Sequence, residues 1–172
     1  MEIQKIVNKI NPYLVGQVAD IGCGDSVVIE GAFGIDGRDF PCVKFLTYNL
    51  YDLPTQMPDK IGYFDTVVSS HVLEHLPDSY RAIIEWRELL KIGGTFILYL
   101  PDGEHYNNYE NQEHFHDFTY KQFMFWFKRT FCGEANNFKG DKYAQPYFEI
   151  IDSGTDYGEN KYSFYLIAKR LR

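Results

Sequence analysis

Apolar positions fall at Ile3, Ile6, Val7, Ile10 and Leu14, a helical spacing that predicts a short helix broken at Asn11-Pro12. The pattern then changes period. Gln17–Ile21, residues 34–37, 43–49 and 63–70 are short apolar runs that each end in acids, glycines or other polar residues, and read as strands. Between the first two, residues 25–30 leave room for a helix of two turns at most. Residues 54–63 read as loop. A helix with apolar Tyr80, Ile83, Ile84, Trp86, Leu89 and Leu90 starts at a cap on Asp78 or Ser79 and is expected to end at Gly93-Gly94. Thr95–Leu100 is nearly all apolar, as in a strand buried on both faces, and Pro101 ends it. Thr119 and Gln122 form a capping-box pair, with Phe118 and Phe123 as the staple, for a helix running to about Phe131. Residues 147–151 and 161–168 complete the set as an antiparallel pair.

Strands alternating with helices predict an α/β chain, a Rossmann-like, mainly parallel seven-stranded sheet with an antiparallel C-terminal strand and reduced helices on one face. With 172 residues and no linker or repeat, residues 1–172 read as one domain, with residues 102–145 as a cap or substrate-binding insertion. The net charge of -7, without a Lys/Arg run, argues against nucleic acid as a partner. Three widely spaced cysteines without a C-x-x-C, no signal-peptide pattern and no membrane-length apolar run predict a cytoplasmic protein. Aromatic residues make up 17% of the chain, many of them after residue 99, and fit a lined cleft or a Phe-rich core equally.

Candidate chemistry sits where the strands end. Parallel sheets bind ligands beyond the carboxyl ends of their strands. Gly22 to Gly24, Asp36, Asn49, and Ser69 to His71 all fall there. A Gly-x-Gly turn lets backbone lie against a ligand, but many ligands use such a turn. The third glycine of a dinucleotide fingerprint would fall at Val27, so that fingerprint fails.

Taken together, Asp20-Ile21-Gly22-Cys23-Gly24, Ile35-Asp36, Asn49–Pro54, the run from Phe64 through His71-Val72-Leu73-Glu74-His75-Leu76, and Leu89-Leu90-Lys91-Ile92-Gly93-Gly94 resemble the class I S-adenosylmethionine-dependent methyltransferases. The resemblance covers residues 17–101, and is to the small-molecule and sugar-type branch. It implies S-adenosylmethionine as cofactor and a small polar acceptor such as a sugar hydroxyl. By position, Asp20 and the Gly22 backbone would hold the methionine ammonium. Gly22, Cys23 and Gly24 would form the close-approach loop, and Asp36 would accept both ribose hydroxyls. Asn49 and Leu50 would sit by the adenine, with Ser69, Ser70 and His71 near the reactive methyl. Asp36 follows Asp20 by only sixteen positions. This shortening implies an exposed cofactor face, closed by residues 102–145, a second copy or a partner. A non-catalytic module acting through a partner is the alternative.

All five histidines lie between residues 71 and 116. His71, His114 and His116 are the candidate catalytic bases, because imidazole titrates in the range that a hydroxyl acceptor needs. His71-x-x-Glu74-His75 also matches a zinc-hydrolase string, a minor reading here because it opens directly off a strand. His114 and His116 have metal binding as one of their alternatives, but no metal ligand is assigned.

Overall fold

A computed structural model describes residues 2–107, 111–133, 146–159 and 161–172. The parts of the expected insertion at residues 108–110 and 134–145 lie outside the described residues.

Seven strands form one sheet: β1 (Val18–Ile21), β2 (Phe33–Asp36), β3 (Val43–Leu46), β4 (Phe64–Ser70), β5 (Leu90–Pro101), β6 (Phe148–Gly158) and β7 (Lys161–Arg170), in the order β3-β2-β1-β4-β5-β7-β6. The pairs from β3 to β5 are parallel, and β7 is antiparallel to both β5 and β6. The expected sheet is therefore present. Its order reverses beside β1, between β2 and β4, which opens a crevice at the carboxyl ends of those strands.

Alternation along the strands sends side chains into two cores. Ala19, Ile21, Val67, Phe96, Leu98, Phe164 and Leu166 face one side, whereas Val18, Val68, Ile97, Tyr99, Tyr165 and Ile167 face the other. The first side is covered by α3 (Ser79–Leu89) and α4 (Tyr120–Phe131). Helix α3 buries Ala82, Ile83, Trp86 and Leu89 on one face, and α4 buries Phe123, Met124, Phe127 and Phe131. Rings of Phe123, Phe127, Phe131, Phe148, Phe164 and Phe96 interlock beneath α4. Much of the aromatic excess is thus core. Residues 120–131 of the expected insertion form part of this layer.

The second side has a thinner cover. Ile3, Ile6 and Ile10, on a 3-10 turn (Glu2–Ile6) and the short α1 (Val7–Ile10), pack there with Val28 and Ala32. Residues 25–32 form turns rather than a helix. Their fixed point is Asp20, whose Oδ2 accepts the Val28 N–H at 2.7 Å. No helix joins β2 to β3.

Two local expectations change. The stretch read as loop at 54–63 contains α2 (Leu53–Gln56) and a 3-10 turn (Pro58–Lys60). Helix α3 ends at Leu89, before Gly93-Gly94. Leu90 turns to extended backbone to pair with Phe64, so both glycines lie inside β5, and tertiary pairing overrides the local stop signal. The caps agree with the sequence: Asp78 accepts the Arg81 N–H at 2.9 Å and Thr119 accepts that of Gln122 at 3.4 Å.

Candidate functional site

The crevice beyond β1, β2 and β4 has two lobes that meet at Gly22, Arg38 and His71. The smaller, about 290 Å³, is lined by Asp20, Gly22, Cys23, Gly24, Ser70 and His71, with Glu2 and Phe40 at its rim. The larger, about 740 Å³, adds Asp36, Leu50, Val72 and His75, and is closed on its far side by Gln112, Glu113 and Phe115. Both have mixed polar and apolar walls, of the kind that takes a small-molecule ligand.

The floor is the turn after β1. Gly22 and Gly24 have φ of +75° and +62°. The Gly22 amide donates to the Ile35 carbonyl at 2.7 Å. A Cβ on Gly22 would lie 2.1 Å from Val72 Cγ2, so the turn after β1 packs against the Val72 side chain only because glycine is there. Gly22→Ala is expected to destabilise the chain by roughly 1–3 kcal/mol and to narrow the crevice, read as a lowered urea midpoint at unchanged slope.

Asp36 closes β2 and is 6% exposed. Its Oδ2 accepts the Gly24 N–H at 2.8 Å, and its Oδ1 accepts the Arg38 N–H at 2.8 Å and Arg38 Nε at 3.3 Å. Three donors leave a carboxylate with capacity for another, and the exposed Arg38 side chain can swing away to free a second. Asp20, 2% exposed, has its pKa pushed up to about 7, chiefly by burial, with the Val28 N–H opposing and the Asp36 charge adding.

His71 follows β4 in a left-handed conformation, φ +53°. Its amide donates to the Tyr99 carbonyl at 2.9 Å and its Nε2 meets Ser163 Oγ at 3.0 Å. Burial, followed by the Lys5 charge, holds its pKa down at about 3, so the ring is neutral near pH 7 and a poor proton acceptor. It lines the crevice as a neutral wall.

The other sequence-assigned residues divide. Ser70 lies on the lining, and its Oγ is buried without a hydrogen-bond partner among the described residues. The Cys23 side chain turns into the core, so only its backbone suits the close-approach role. Ser69 points away, donating to the Ile21 carbonyl at 2.9 Å, because alternation puts it on the opposite face from Ser70. Asn49 is exposed and bonds the Tyr51 N–H and Asp52, a local turn contact, while Leu50 reaches the larger lobe. His114 sits behind His75, ring centroids 4.6 Å apart, and burial lowers its pKa. His116 bonds the Leu76 carbonyl at 2.9 Å and lines a separate pocket with Phe118, Phe123 and Trp126. Arg38 and His75 line the crevice without having been assigned a role. Arg38, two positions after the β2 acid, was the detectable signal.

The family model described as "Methyltransferase domain" matches residues 32–98. No curated protein matches the chain significantly in sequence. Among solved structures, the chain is similar to 1,6-didemethyltoxoflavin-N1-methyltransferase from Burkholderia thailandensis, a structure with bound 1,6-didemethyltoxoflavin and S-adenosylhomocysteine. That likeness has a TM-score of 0.69 and 14% identity over 99% of this chain and 79% of that one. It is similar to the protein paired with the Trm112 methyltransferase activator in a Haloferax volcanii complex, with a TM-score of 0.66 and 14% identity over 100% and 92%. It is also similar to an S-adenosylmethionine-dependent methyltransferase from Mesorhizobium loti, with a TM-score of 0.65 and 12% identity over 99% and 98%.

Proposed function

From a chain with the class I S-adenosylmethionine-dependent methyltransferase fold and a methyltransferase-domain match over residues 32–98, we propose an enzyme that methylates a small polar acceptor of the sugar-hydroxyl class. S-adenosylmethionine is the cofactor that this family assignment supports. The observation that carries the reading is the crevice itself. Asp36, Asp20 and the Gly22–Gly24 turn converge there from separate strand ends, with a second lobe beside them.

Bound there, S-adenosylmethionine supplies an electrophilic sulfonium methyl. Asp36 would accept the ribose hydroxyls, Asp20 with the Gly22 backbone would face the ammonium group, and Leu50 would flank the adenine. His71 and Ser70 would bound the space around the methyl, and the neutral His71 ring would not repel the sulfonium charge. The acceptor enters from the larger lobe, between His75 and Gln112–Phe115. Its proton would leave to solvent through the larger lobe. Alignment of methyl and nucleophile supplies most of the acceleration. The test is release of S-adenosylhomocysteine from S-adenosylmethionine with a panel of sugars and sugar nucleotides. Acceptor-dependent turnover supports the reading. Cofactor binding without turnover for any acceptor favours the partner-dependent module.

A specific observation keeps that second reading open. Strand β3 is a sheet edge, no helix joins it to β2, and Leu46 and Tyr48 are 51% and 89% exposed. An open edge suits strand addition by a partner, and a structural neighbour occurs in a complex with an activator. A reducing cytoplasmic location fits the cysteines, none of which forms a disulfide among the described residues. No helix among those residues is long and apolar enough to cross a membrane.

The Asp20 carboxyl gives the binding a pH signature. Raised from 3.8 to about 7, it is protonated in the free protein below that pH. In the free protein this acid contributes stability that is full below pH 3.8 and is lost as pH rises to about 7. A ligand ammonium favours the ionised form, so binding expels a proton. Affinity for S-adenosylhomocysteine is expected to rise by about fivefold from pH 6 to pH 7, and to level off above about pH 8. Calorimetry in buffers of different ionisation enthalpy reads the released proton, and Asp20→Asn flattens the profile.

A further inference from the structure

After β4 the chain makes a 3-10 turn, Leu73–His75, that buries Glu74 completely. Neither of its carboxylate oxygens has a hydrogen-bond partner among the described residues. Leaving a buried acid unsatisfied costs free energy unless a proton or a cation sits on it. Burial pushes this carboxyl up to about 8, with its own backbone N–H opposing. Its main chain is engaged: the Glu74 carbonyl accepts the N–H groups of Phe115 at 2.8 Å and His116 at 3.2 Å, which ties the strap at residues 111–116 against the turn.

Two imidazoles stand beside the carboxylate. His75 Nε2 is 3.9 Å from Glu74 Oε1, while His75 Nδ1 meets the Glu113 carbonyl at 3.1 Å. A ring that donates from Nδ1 has its lone pair on Nε2, on the carboxylate side, and such a backbone carbonyl is a common outer partner of a ligating histidine. His114 packs edge-on against His75. One ligand atom from each of Glu74, His75 and His114 lies within 4.8 Å of the others.

We infer that Glu74, His75 and His114 form a binding site for a divalent first-row transition ion, zinc foremost. Two nitrogens and one carboxylate oxygen suit zinc, whereas calcium and magnesium favour oxygen-only sets. Three protein ligands leave a coordination position open. Bonds of about 2.1 Å in a tetrahedral site need ligand atoms roughly 3.4 Å apart, so the present spacing closes by small side-chain rotations. His71 is outside the cluster. Its Nδ1 is 3.7 Å from Glu74 Oε1, but it does not share the mutual 4.8 Å spacing that brings ligand atoms of Glu74, His75 and His114 together. The His71/His75 pairing suggested by the sequence string is thereby replaced by His75/His114, because the string unwinds into a strand end and one turn. His75 also lines the larger lobe, so the ion would stand at its wall. The inference does not depend on methyl transfer.

The test uses the full chain, stripped with a chelator and titrated by calorimetry with zinc and, separately, with cobalt(II), whose absorption also reports ligand geometry. One equivalent of ion is expected to bind, at least about tenfold more weakly in Glu74→Gln, His75→Ala and His114→Ala, and unchanged in His105→Ala. Glu74→Gln preserves shape and is already matched to a neutral buried group. His114 lies on the strap rather than in the core, so its variant keeps the test decisive should a buried one fail to fold. A Kd weaker than about 1 mM for both ions, or unchanged affinity in both histidine variants, would overturn the site. S-adenosylhomocysteine binding, measured on the same samples, is expected to persist without the ion, which separates this site from the cofactor cleft.

Discussion

Asp36→Ala is expected to weaken S-adenosylhomocysteine binding by roughly a hundredfold. The carboxylate at the end of β2 is buried to 6% exposure yet borders the larger lobe. Two ribose hydroxyls donating to one charged acceptor are worth about 1.5 kcal/mol each, and about 3 kcal/mol is a little over two decades in Kd. The same substitution removes the acceptor for the Gly24 N–H, so the glycine turn loses a tether as well as the ligand losing a partner. Asp36→Asn keeps one acceptor oxygen and is expected to lose about tenfold. Titration calorimetry checks both. A loss below about threefold in Asp36→Ala would take the ribose away from this residue.

The second large effect is on stability. Trp86 is fully buried on α3 and its Nε1 donates to the Leu50 carbonyl at 2.7 Å, joining the core to the wall of the larger lobe. Trp86→Ala removes the largest ring of the α3 layer, and such truncations cost about 3–5 kcal/mol. For a chain of this size that lowers the melting temperature by about 10 °C. Trp86→Phe keeps most of the packing but leaves the Leu50 carbonyl without its indole donor, at about 1–3 kcal/mol. Urea unfolding of the two variants separates packing from hydrogen bonding, and Trp86→Phe is expected to lose more cofactor affinity than its stability change alone implies, because Leu50 loosens.

The sheet was legible in the sequence because β1 to β4 are short apolar runs closed by polar residues and the later strands carry apolar stretches at their centres. The end of α3 was not, because Gly93-Gly94 resembles a stop while Leu90 is claimed earlier by pairing with Phe64. Asp20 and Asp36 were legible as strand-end acids, and the structure puts both on the crevice. Ser69 was not separable from Ser70 by type alone, because alternation decides which of two adjacent serines faces the cleft. The histidines were hardest. Their spacing paired His71 with His75, but what unites His75 with His114 is a strap returning from β5 and held by the Glu74 carbonyl. Contacts of that range leave no periodic trace. Glu74 stood out only as part of the zinc-hydrolase string, and the fold alone shows that its carboxyl is buried without a hydrogen-bond partner among the described residues.

The most direct measurement is a crystal structure of the protein with S-adenosylhomocysteine at millimolar concentration. The ribose hydroxyls are expected within hydrogen-bonding distance of Asp36, the amino-acid end over Gly22–Gly24 beside Asp20, and the sulfur next to His71. Nucleoside density elsewhere, or a crevice that stays empty at that concentration while the fold is unchanged, would contradict it.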